Sequence, residues 1–393
     1  MWANTTSPAG QPGLWASLLT LPQDHLAVTA GVVVLLGLLG AHAVNVRRHR
    51  FDRVREMERK YPHYLKDPSG MNYKDAADIM LVSQKYTYAV PTISKVLADS
   101  KQLLLPENAT RRAEDTGVVI AEFLCPEGLD SERATTALAR MNWLHRRYGK
   151  RITRDDMLYT LSLFIFEPII FCEKFEWRPL TQMEQEARYV FWREVGARMG
   201  IADIPRTRQG LWDWQAAYAE KVMVYAESNA KVAATTTAIF LSPQPEILKP
   251  FAHKVTGVFL DELCRKAFGL PRSPEWMYTV VPALIGLRAW VIGHLMGPRV
   301  EQPSWQKVEV TQGENGKPRY VRQGYLFEPW YTSVKAPRLG LYGATIKPGK
   351  PFHPEGFQST QLGPPNLEGQ GEEATLQNAA EMRERAATCP FFM

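Results

Sequence analysis

The chain has 393 residues, of which 45% are apolar and 11% aromatic, enough to bury a large core as one large domain or two smaller ones. Much of the formal net charge of +6 comes from a basic cluster at positions 47–60, and no nucleic-acid-binding motif follows that cluster. The composition therefore excludes a largely disordered chain, and the charge pattern indicates no nucleic-acid partner.

The first predicted element is an apolar helix. Residues 26–44 carry no formal charge and are rich in Val, Leu, Gly and Ala; as a helix they would measure about 28 Å, close to the hydrocarbon thickness of a bilayer. A buried helix of a soluble domain would show polar residues every three or four positions, whereas His42 is the only polar residue in the second half of the segment. Residues 26–44 are therefore predicted to form one transmembrane anchor in contact with membrane lipid.

The charges that flank this segment predict its orientation. Residues 1–25 contain no Lys or Arg, whereas residues 45–70 form a basic collar or linker. The positive-inside rule therefore places residues 1–25 in the lumen and the C-terminal bulk in the cytosol, so that Asn4 would be a lumenal N-glycosylation acceptor. A cleaved signal peptide is the alternative, because Ala41-His42-Ala43 resembles a cleavage site, but the basic N-terminal region of a signal peptide is missing.

Helical periodicity dominates residues 71–300, which predicts an all-α domain. Helix N-caps are expected at Asp130 or Ser131, at Thr153 and at Thr181. Residues 157–172 are predicted to form a buried core helix in spite of Pro168, and residues 276–296 a core helix in preference to one that touches the membrane surface. Residues 301–393 shift to Gly, Pro, Gln and Lys and are predicted to be an irregular, partly disordered extension.

A single histidine is the first candidate for chemistry. Leu138, Met141, His145 and Tyr148 follow an i, i+3, i+7, i+10 pattern, which places the imidazole of His145 on the apolar face of a helix. A neutral imidazole in that position can ligate a metal, although a buried histidine bonded to a backbone carbonyl has the same pattern. The other histidines show no spacing typical of a multi-histidine site, so a metal here would favour haem iron over non-haem iron.

Further polar residues accompany this histidine. Arg112 and Thr116 lie four positions apart, so on a helix they share one face; they form either a pair in a pocket or a surface arginine beside a threonine near a helix end. Asn142, one turn before His145, is expected to orient the imidazole or to cap a neighbouring turn. Glu167, inside an apolar run, is predicted to form a buried salt bridge in preference to serving as a pocket acid.

Several motifs, in order along residues 45–300, resemble those of the fungal endoplasmic-reticulum-bound oxygenases of mycophenolic acid biosynthesis, whose superfamily includes rubber oxygenase, the latex clearing protein. These motifs are Arg112-Ala-Glu-Asp-Thr116, Ser131-Glu-Arg, Met141-Asn-Trp-Leu-His145-Arg-Arg-Tyr148, Asp155-Asp-Met-Leu-Tyr159, Glu167-Pro168, Glu176-Trp-Arg178, Phe191-Trp192, Gly196-Ala-Arg-Met-Gly-Ile201 and Ser228-Asn229.

The resemblance implies a globin-like helical domain that holds haem b and uses dioxygen to cleave an isoprenoid carbon–carbon double bond into carbonyl fragments. It also implies that His145 is the axial ligand of the haem iron, with Asn142 beside it. Arg112 and Thr116 would act as pocket residues, Arg112 near a haem propionate or dioxygen. Asp115 departs from the rubber enzymes, which carry a basic residue there, and their upstream catalytic glutamate has no counterpart identified in this chain.

The sequence therefore predicts a single-pass protein of the endoplasmic reticulum membrane whose cytosolic domain cleaves the prenyl or terpenoid chain of a hydrophobic secondary metabolite. Two alternatives stay open. One is a haem enzyme that performs another oxidation, such as hydroxylation or rearrangement, and the other is a non-catalytic, membrane-tethered protein that binds a hydrophobic metabolite without iron. Tethering suits any of these ligands, because a long prenyl chain partitions into lipid.

Overall fold

A computed structural model describes residues 23–72, 76, 89–242, 244–297, 308–313, 316–322, 329–332 and 352–388. Asn4, the predicted glycosylation site, lies outside these residues. The chain divides into two units, a smaller one of Met1–Glu56 with Trp290–Pro298 and a larger one of Met57–Ala289 with Arg299–Met393.

Most of the described chain is helical, as the sequence predicts. The helices are α1 (Gln23–His49), α2 (Asp52–Lys60), α3 (Pro91–Asp99), α4 (Pro106–Phe123), α5 (Glu132–Arg146), α6 (Arg154–Phe175), α7 (Gln182–Arg198), α8 (Arg208–Val222), α9 (Glu227–Leu241), α10 (Lys249–Val258), α11 (Glu262–Ala267), α12 (Met277–Leu295) and α13 (Glu372–Thr388). Two strands, β1 (Val308–Gln312) and β2 (Pro318–Arg322), pair antiparallel.

The predicted N-caps of three core helices are confirmed. The Ser131 side chain accepts a hydrogen bond from the Ala134 amide at the start of α5. Thr153 and Thr181 each form a complete capping box, at the starts of α6 and α7. Each cap gives a hydrogen-bond partner to an amide of the first helical turn that would otherwise have none. The cap residue therefore fixes where each helix begins.

Helix α6 continues through Pro168 because an arginine from α7 compensates for the proline. Proline has no N–H to donate to the carbonyl four residues earlier, which here belongs to Phe164. The buried Arg188 donates from Nη2 to that carbonyl at 2.7 Å and from Nε to the carbonyl of Ile165 at 3.3 Å. The predicted buried core helix is thereby confirmed, with Leu158 and Ile165 fully buried within it.

The basic collar is shorter than predicted. Met57, Tyr61, Tyr64 and Met71 are buried in the main hydrophobic core, so the second half of residues 45–70 belongs to the larger unit and is not a linker. Aromatic and sulfur-containing side chains bury enough apolar surface there to outweigh the neighbouring charges.

The prediction of an irregular C-terminal extension is wrong for the described residues 352–388. Helix α13 packs along α5, and Phe357 forms a bridge with Tyr320 of β2, with backbone bonds of 2.9 and 3.0 Å. Trp330, Tyr331 and Phe357 are fully buried in the same core as α4 and α5. Their apolar area compensates for the low hydrophobicity of the surrounding sequence, which had indicated disorder.

The smaller unit contains α1 and the last turn of α12. The large apolar side chains of α1 at positions 32–36, 38 and 39 are each about half exposed or more. His42 Nε2 lies 2.7 Å from the carbonyl oxygen of Leu295, and the Arg50 guanidinium donates to the carbonyls of Ile292 and Met296. The end of α12 is therefore bonded to the C-terminal end of α1.

The expectation that residues 276–296 form a core helix is also wrong. Among the residues that the structure describes, α12 is the one helix that is long and apolar enough to cross a membrane. Only Met277 and Val281 of α12 are buried. Hydropathy alone could not separate a core helix from an exposed one, because both are apolar on every side.

Phe357→Ala tests whether the C-terminal segment is part of the core. We expect a loss of about 3–5 kcal/mol in the free energy of unfolding, because the truncation leaves a cavity against Trp330 and Tyr331. Denaturant unfolding of the full chain in detergent micelles measures this loss. Phe352→Ala is the matched control, since Phe352 is 46% exposed and its truncation should change stability by no more than about 0.5 kcal/mol. Equal effects of the two substitutions would contradict the packing described.

Candidate functional site

Helices α4 and α5 pack against each other and bring the predicted histidine beside the predicted arginine. His145 lies one residue before the end of α5, and its Nδ1 is buried without a hydrogen-bond partner among the described residues. Burial lowers the pKa of His145 to about 4, and the nearby charge of Arg112 acts in the same direction. The imidazole is therefore neutral at physiological pH, with nitrogen lone-pair density available to a ligand.

Arg112 and Thr116 share one face of α4, as their spacing predicts. The Arg112 guanidinium donates to the Thr116 hydroxyl oxygen, and that hydroxyl donates to the Arg112 carbonyl at 2.8 Å. Both side chains are partly buried. Of the two interpretations of this pair, the structure favours an arginine held near His145 over an isolated surface arginine.

Asn142 makes a different contact from the one that a cofactor role requires. Its side-chain amide Nδ2 donates to the Arg198 carbonyl at 2.9 Å, at the C-terminal end of α7. This bond gives a partner to one of the carbonyls that a helix end leaves unpaired. It corresponds to the capping alternative, while a contact between Asn142 and a cofactor stays a prediction.

The neighbouring face of α4 binds the C-terminal segment through Asp115. The Asp115 carboxylate accepts hydrogen bonds from Trp330 Nε1 at 2.7 Å and from the Gly363 amide at 3.0 Å. Arg111 lies 3.9 Å from the same carboxylate, and its guanidinium stacks over the Trp330 ring at 4.3 Å. Complete burial raises the pKa of Asp115, whereas Arg111 and the two N–H donors act against that rise. Asp115 therefore has a structural role in this chain, which accounts for its departure from a basic residue.

Arg140 links α5 to the C-terminal segment, as Asp115 links α4 to it. It is fully buried and donates to the carbonyls of Leu362 at 2.9 Å, Leu367 at 2.9 Å and Gln370 at 2.5 Å. Desolvation lowers its pKa to about 10, which still leaves the guanidinium charged at physiological pH. The local sequence around Arg140 does not indicate its burial, because nothing in that pattern shows that a segment more than two hundred positions later supplies its partners.

A glycine of the C-terminal segment permits this close packing. Gly371 has a φ of +69°, and a Cβ atom there would lie 2.1 Å from the Trp143 ring, far inside van der Waals contact. Any other residue would be strained in this backbone conformation and would clash with the indole. The Trp143 ring of α5 therefore packs against backbone that only glycine allows at position 371.

The predicted salt bridge of Glu167 is wrong, because the structure pairs this carboxylate with no cation among the described residues. Burial raises the pKa of Glu167 to about 7, and the charge of Asp261 adds to the rise while that of Lys174 opposes it. Glu167 is thus a partly buried, partly protonated acid near neutrality. The alternative drawn from the sequence, that Glu167 serves as a pocket acid, stays a prediction.

Some motif residues have structural contacts instead of contacts near His145. Asn229, from the Ser228-Asn229 motif, is fully buried and its amide joins three separate chain segments. Its Nδ2 lies within hydrogen-bond distance of the carbonyls of Ala89 at 3.1 Å, Val224 at 3.0 Å and Ala267 at 3.1 Å, so its two N–H groups serve three acceptors and one N–H is shared. Satisfying three buried carbonyls with one amide explains why an asparagine stands there.

The donors near His145 fit a haem group. A haem iron takes a single neutral imidazole as an axial ligand, and the buried, unpartnered nitrogen of His145 meets that requirement. The Arg112 guanidinium provides a cation of the kind that pairs with carboxylates such as haem propionates. Within the described part of the chain, no three His, Cys, Asp or Glu side chains come together as a multidentate metal site.

Comparison with known proteins connects this site to a family. The sequence profile described as "ER-bound oxygenase mpaB/B'/Rubber oxygenase, catalytic domain" matches residues 77–292, which include Arg112, Thr116 and His145. The ER-bound oxygenase mpaB' of Penicillium brevicompactum is 28% identical to this chain, with 92% of this chain and 95% of the relative covered.

Two further relatives support the same assignment. The ER-bound oxygenase mpaB of Penicillium roqueforti is 29% identical over 59% of this chain and 88% of its own length. The ER-bound oxygenase mpaB of Penicillium brevicompactum is 29% identical over 56% of this chain and 64% of its own length.

Asp115→Ala tests the link between α4 and the C-terminal segment. We expect a loss of about 3–5 kcal/mol in the free energy of unfolding, because the change leaves the Trp330 and Gly363 N–H groups unpaired and removes one of the two carboxylates near Arg111, the other being Glu368. Denaturant unfolding measures this loss. The control is Asp155→Ala, which removes a half-exposed partner of Arg154 and should cost less than about 1 kcal/mol. A small effect at Asp115 would show that its hydrogen bonds contribute little.

Glu167→Gln tests the raised pKa. Because the folded protein favours protonated Glu167, this residue destabilises the fold progressively as pH rises from its ordinary pKa of 4.5 towards 7. Glutamine mimics the protonated form, so at pH 8 the variant should be more stable than the wild type by about 1–3 kcal/mol, and at pH 5 nearly equal to it. Unfolding curves at both pH values measure the difference.

Glu184→Gln is the matched control for this experiment. Burial opposes ionisation of Glu184, but hydrogen bonds from Arg178 and the Thr181 amide outweigh it and lower the Glu184 pKa. The stability that this carboxylate contributes is present above its ordinary pKa of 4.5 and is lost as pH falls. Glu184→Gln should therefore be less stable than the wild type at pH 8, whereas Glu167→Gln should be more stable. If both substitutions changed the free energy of unfolding in the same direction, the raised pKa assigned to Glu167 would be refuted.

Proposed function

This chain belongs to the ER-bound oxygenase mpaB/B'/rubber oxygenase family and is an oxygenase, an enzyme of the oxidoreductase class; from that premise we propose a specific reaction. The enzyme is a membrane-anchored, haem-dependent oxygenase that cleaves a carbon–carbon double bond in the prenyl or terpenoid chain of a hydrophobic secondary metabolite. The observation that carries this proposal is the buried, unpartnered and neutral imidazole of His145 beside the Arg112–Thr116 pair.

His145 is the residue that would hold haem b, in a globin-like arrangement of helices. Its low pKa keeps the imidazole unprotonated, so binding of a metal needs no proton to be displaced from the ring at neutral pH. When bound, the haem iron supplies the binding and activation of dioxygen that an alkene cleavage requires. In the overall reaction one C=C bond breaks, two C=O bonds form, and each carbonyl receives one atom of the same O2, so no external reductant is needed.

Arg112 and Thr116 position charge in the same pocket. The Thr116 hydroxyl accepts a hydrogen bond from the Arg112 guanidinium while its own proton is donated to the helix backbone, which restricts the rotamers of the arginine. A guanidinium held in this way is prepared to pair with a haem propionate or to stabilise negative charge that develops on oxygen. Asp115 and Arg140 hold the two helices from their other sides through the C-terminal segment.

Helix α1 would anchor the enzyme in the endoplasmic reticulum membrane, with the N-terminus lumenal and the larger unit cytosolic. The relatives are named ER-bound, and α1 exposes Val and Leu side chains at positions 32–39, followed by Arg47, Arg48 and Arg50. The positive charge at this end favours the cytosolic side. A prenylated substrate concentrates in the same lipid phase.

The haem site is tested with the full chain in detergent micelles, by absorption spectroscopy and a pyridine haemochrome assay. The wild type should carry one haem per chain, and His145→Ala should lose it, because no other described residue is positioned to replace the imidazole. Arg146→Ala, at the exposed neighbouring position, should retain full haem content. An iron-free, folded wild type would instead support a protein that binds its hydrophobic ligand without catalysis.

The reaction is tested with a prenylated phenol under labelled dioxygen. Cleavage predicts two shorter carbonyl products with one labelled oxygen each, whereas hydroxylation would leave the carbon chain intact. Arg112→Ala should lower kcat by about a hundredfold or more with haem content unchanged, and Arg112→Lys should recover part of that loss. Full turnover in Arg112→Ala and Thr116→Ala would remove both residues from the mechanism.

A further inference from the structure

Helix α12 and the residue before it present one continuous apolar stripe to the exterior. Trp276, Val280, Leu284, Leu287 and Trp290 are each between 42% and 61% exposed. Their spacing of i, i+4, i+8, i+11 and i+14 places them on a single face of the helix. Five large apolar side chains in a row are unfavourable in water, so this face needs a cover.

The opposite side of α12 contacts the protein. Met277 and Val281 are buried, and Arg288, which carries the only formal charge of the helix, pairs with Glu176 at 3.3 Å. Arg288 follows Met277 by eleven positions and so lies on the same side of the helix as Met277, although its own side chain is 54% exposed. The exposed stripe therefore contains no charge.

Neighbouring residues extend this surface. Phe251 of α10 stacks on Trp276 with ring centroids 6.5 Å apart, and it is half exposed. Ile247, in the turn before α10, is 87% exposed. Two exposed basic residues, Lys254 and Arg272, lie in the segments that carry Phe251 and Trp276. The surface thus combines aromatic and aliphatic side chains with nearby cations.

We propose that this surface, formed by the α12 stripe with Phe251 and Ile247, docks on the lipid bilayer as a second membrane contact in addition to α1. The proposal rests on the membrane anchor of the proposed function. Lipid is favoured as the occupant because the last turn of α12 is bonded to α1, through His42 to the Leu295 carbonyl and through Arg50 to the Ile292 carbonyl.

The chemistry of the surface also favours lipid. Tryptophan concentrates at membrane–water interfaces, and here Trp276 and Trp290 stand at the two ends of the stripe. Cations near an apolar surface attract anionic lipid head groups, which suits Lys254, whereas Arg272 already pairs with Glu275 at 3.6 Å. The surface belongs mainly to the unit that contains His145, so docking brings the catalytic unit to the phase in which a prenyl chain concentrates.

The experiment uses the full chain reconstituted in vesicles of phosphatidylcholine and phosphatidylserine that contain a phosphatidylcholine with a photoactivatable acyl chain. After irradiation, mass spectrometry of the peptides locates the lipid adducts. We expect adducts on the peptide that contains residues 276–290 as well as on α1. The double variant Leu284→Asp/Leu287→Asp should lose the adducts on the stripe several-fold and keep those on α1, because a carboxylate is costly within lipid.

Leu376→Asp is the matched control, since Leu376 is a 39% exposed leucine of α13, away from the stripe; it should leave the adduct pattern unchanged. Near-ultraviolet circular dichroism checks that each variant keeps the fold. Adducts confined to α1, or cross-links from the stripe to a second copy of the chain, would overturn the docking surface.

The same samples separate this inference from the proposed function. Haem content and turnover of a detergent-dispersed substrate report on the catalytic proposal alone, so adducts on the stripe without haem would reject the chemistry and support the docking surface. Adducts on the stripe without adducts on α1 would reject the anchor while supporting the docking surface.

Discussion

Burial of two charged side chains by the C-terminal segment is the constraint on which the candidate site depends. Asp115 of α4 and Arg140 of α5 are almost entirely removed from water, and backbone and indole groups of the C-terminal segment satisfy them. Such groups are costly to bury unless every hydrogen bond is formed. The C-terminal segment must therefore pack on α4 and α5 in a single alignment. That alignment keeps in place the helices that carry Arg112 and His145.

The buried polar groups around the site differ in whether they have hydrogen-bond partners. On the side of α4 and α5 that faces the C-terminal segment, carboxylate and guanidinium groups have several partners each, whereas Nδ1 of His145 has none among the described residues. An unpaired buried nitrogen is unusual in a folded protein, and functional sites are where such exceptions concentrate. The low pKa of His145 follows from the same burial, so the geometry that leaves the nitrogen unpartnered also keeps it neutral.

The proposed membrane association and the proposed catalysis would be related through substrate partitioning. Helix α1 exposes its Val and Leu side chains, and α12 exposes a stripe from Trp276 to Trp290. Arg288, the only formal charge of α12, lies outside this stripe, where its side chain is 54% exposed and forms an ion pair with Glu176 at 3.3 Å. A catalytic unit held against lipid would meet a prenyl chain without extracting that chain into water.

Local signals in the sequence determined much of the helical framework. The caps at Ser131, Thr153 and Thr181 were predictable because a cap depends on three or four consecutive residues. The shared face of Arg112 and Thr116 followed from helical periodicity alone, and the family followed from the order of short motifs.

Only the tertiary structure decided the remaining features, because each depends on residues far apart in the chain. The partners of Arg140 lie more than two hundred positions away, and α12 is exposed although its hydropathy suits a core. Glu167 has no salt bridge to a cation within the part of the chain that the structure describes, although its place in an apolar run predicted one. Periodicity reports which side chains share a face, whereas the neighbour that covers that face is chosen by packing of the whole chain.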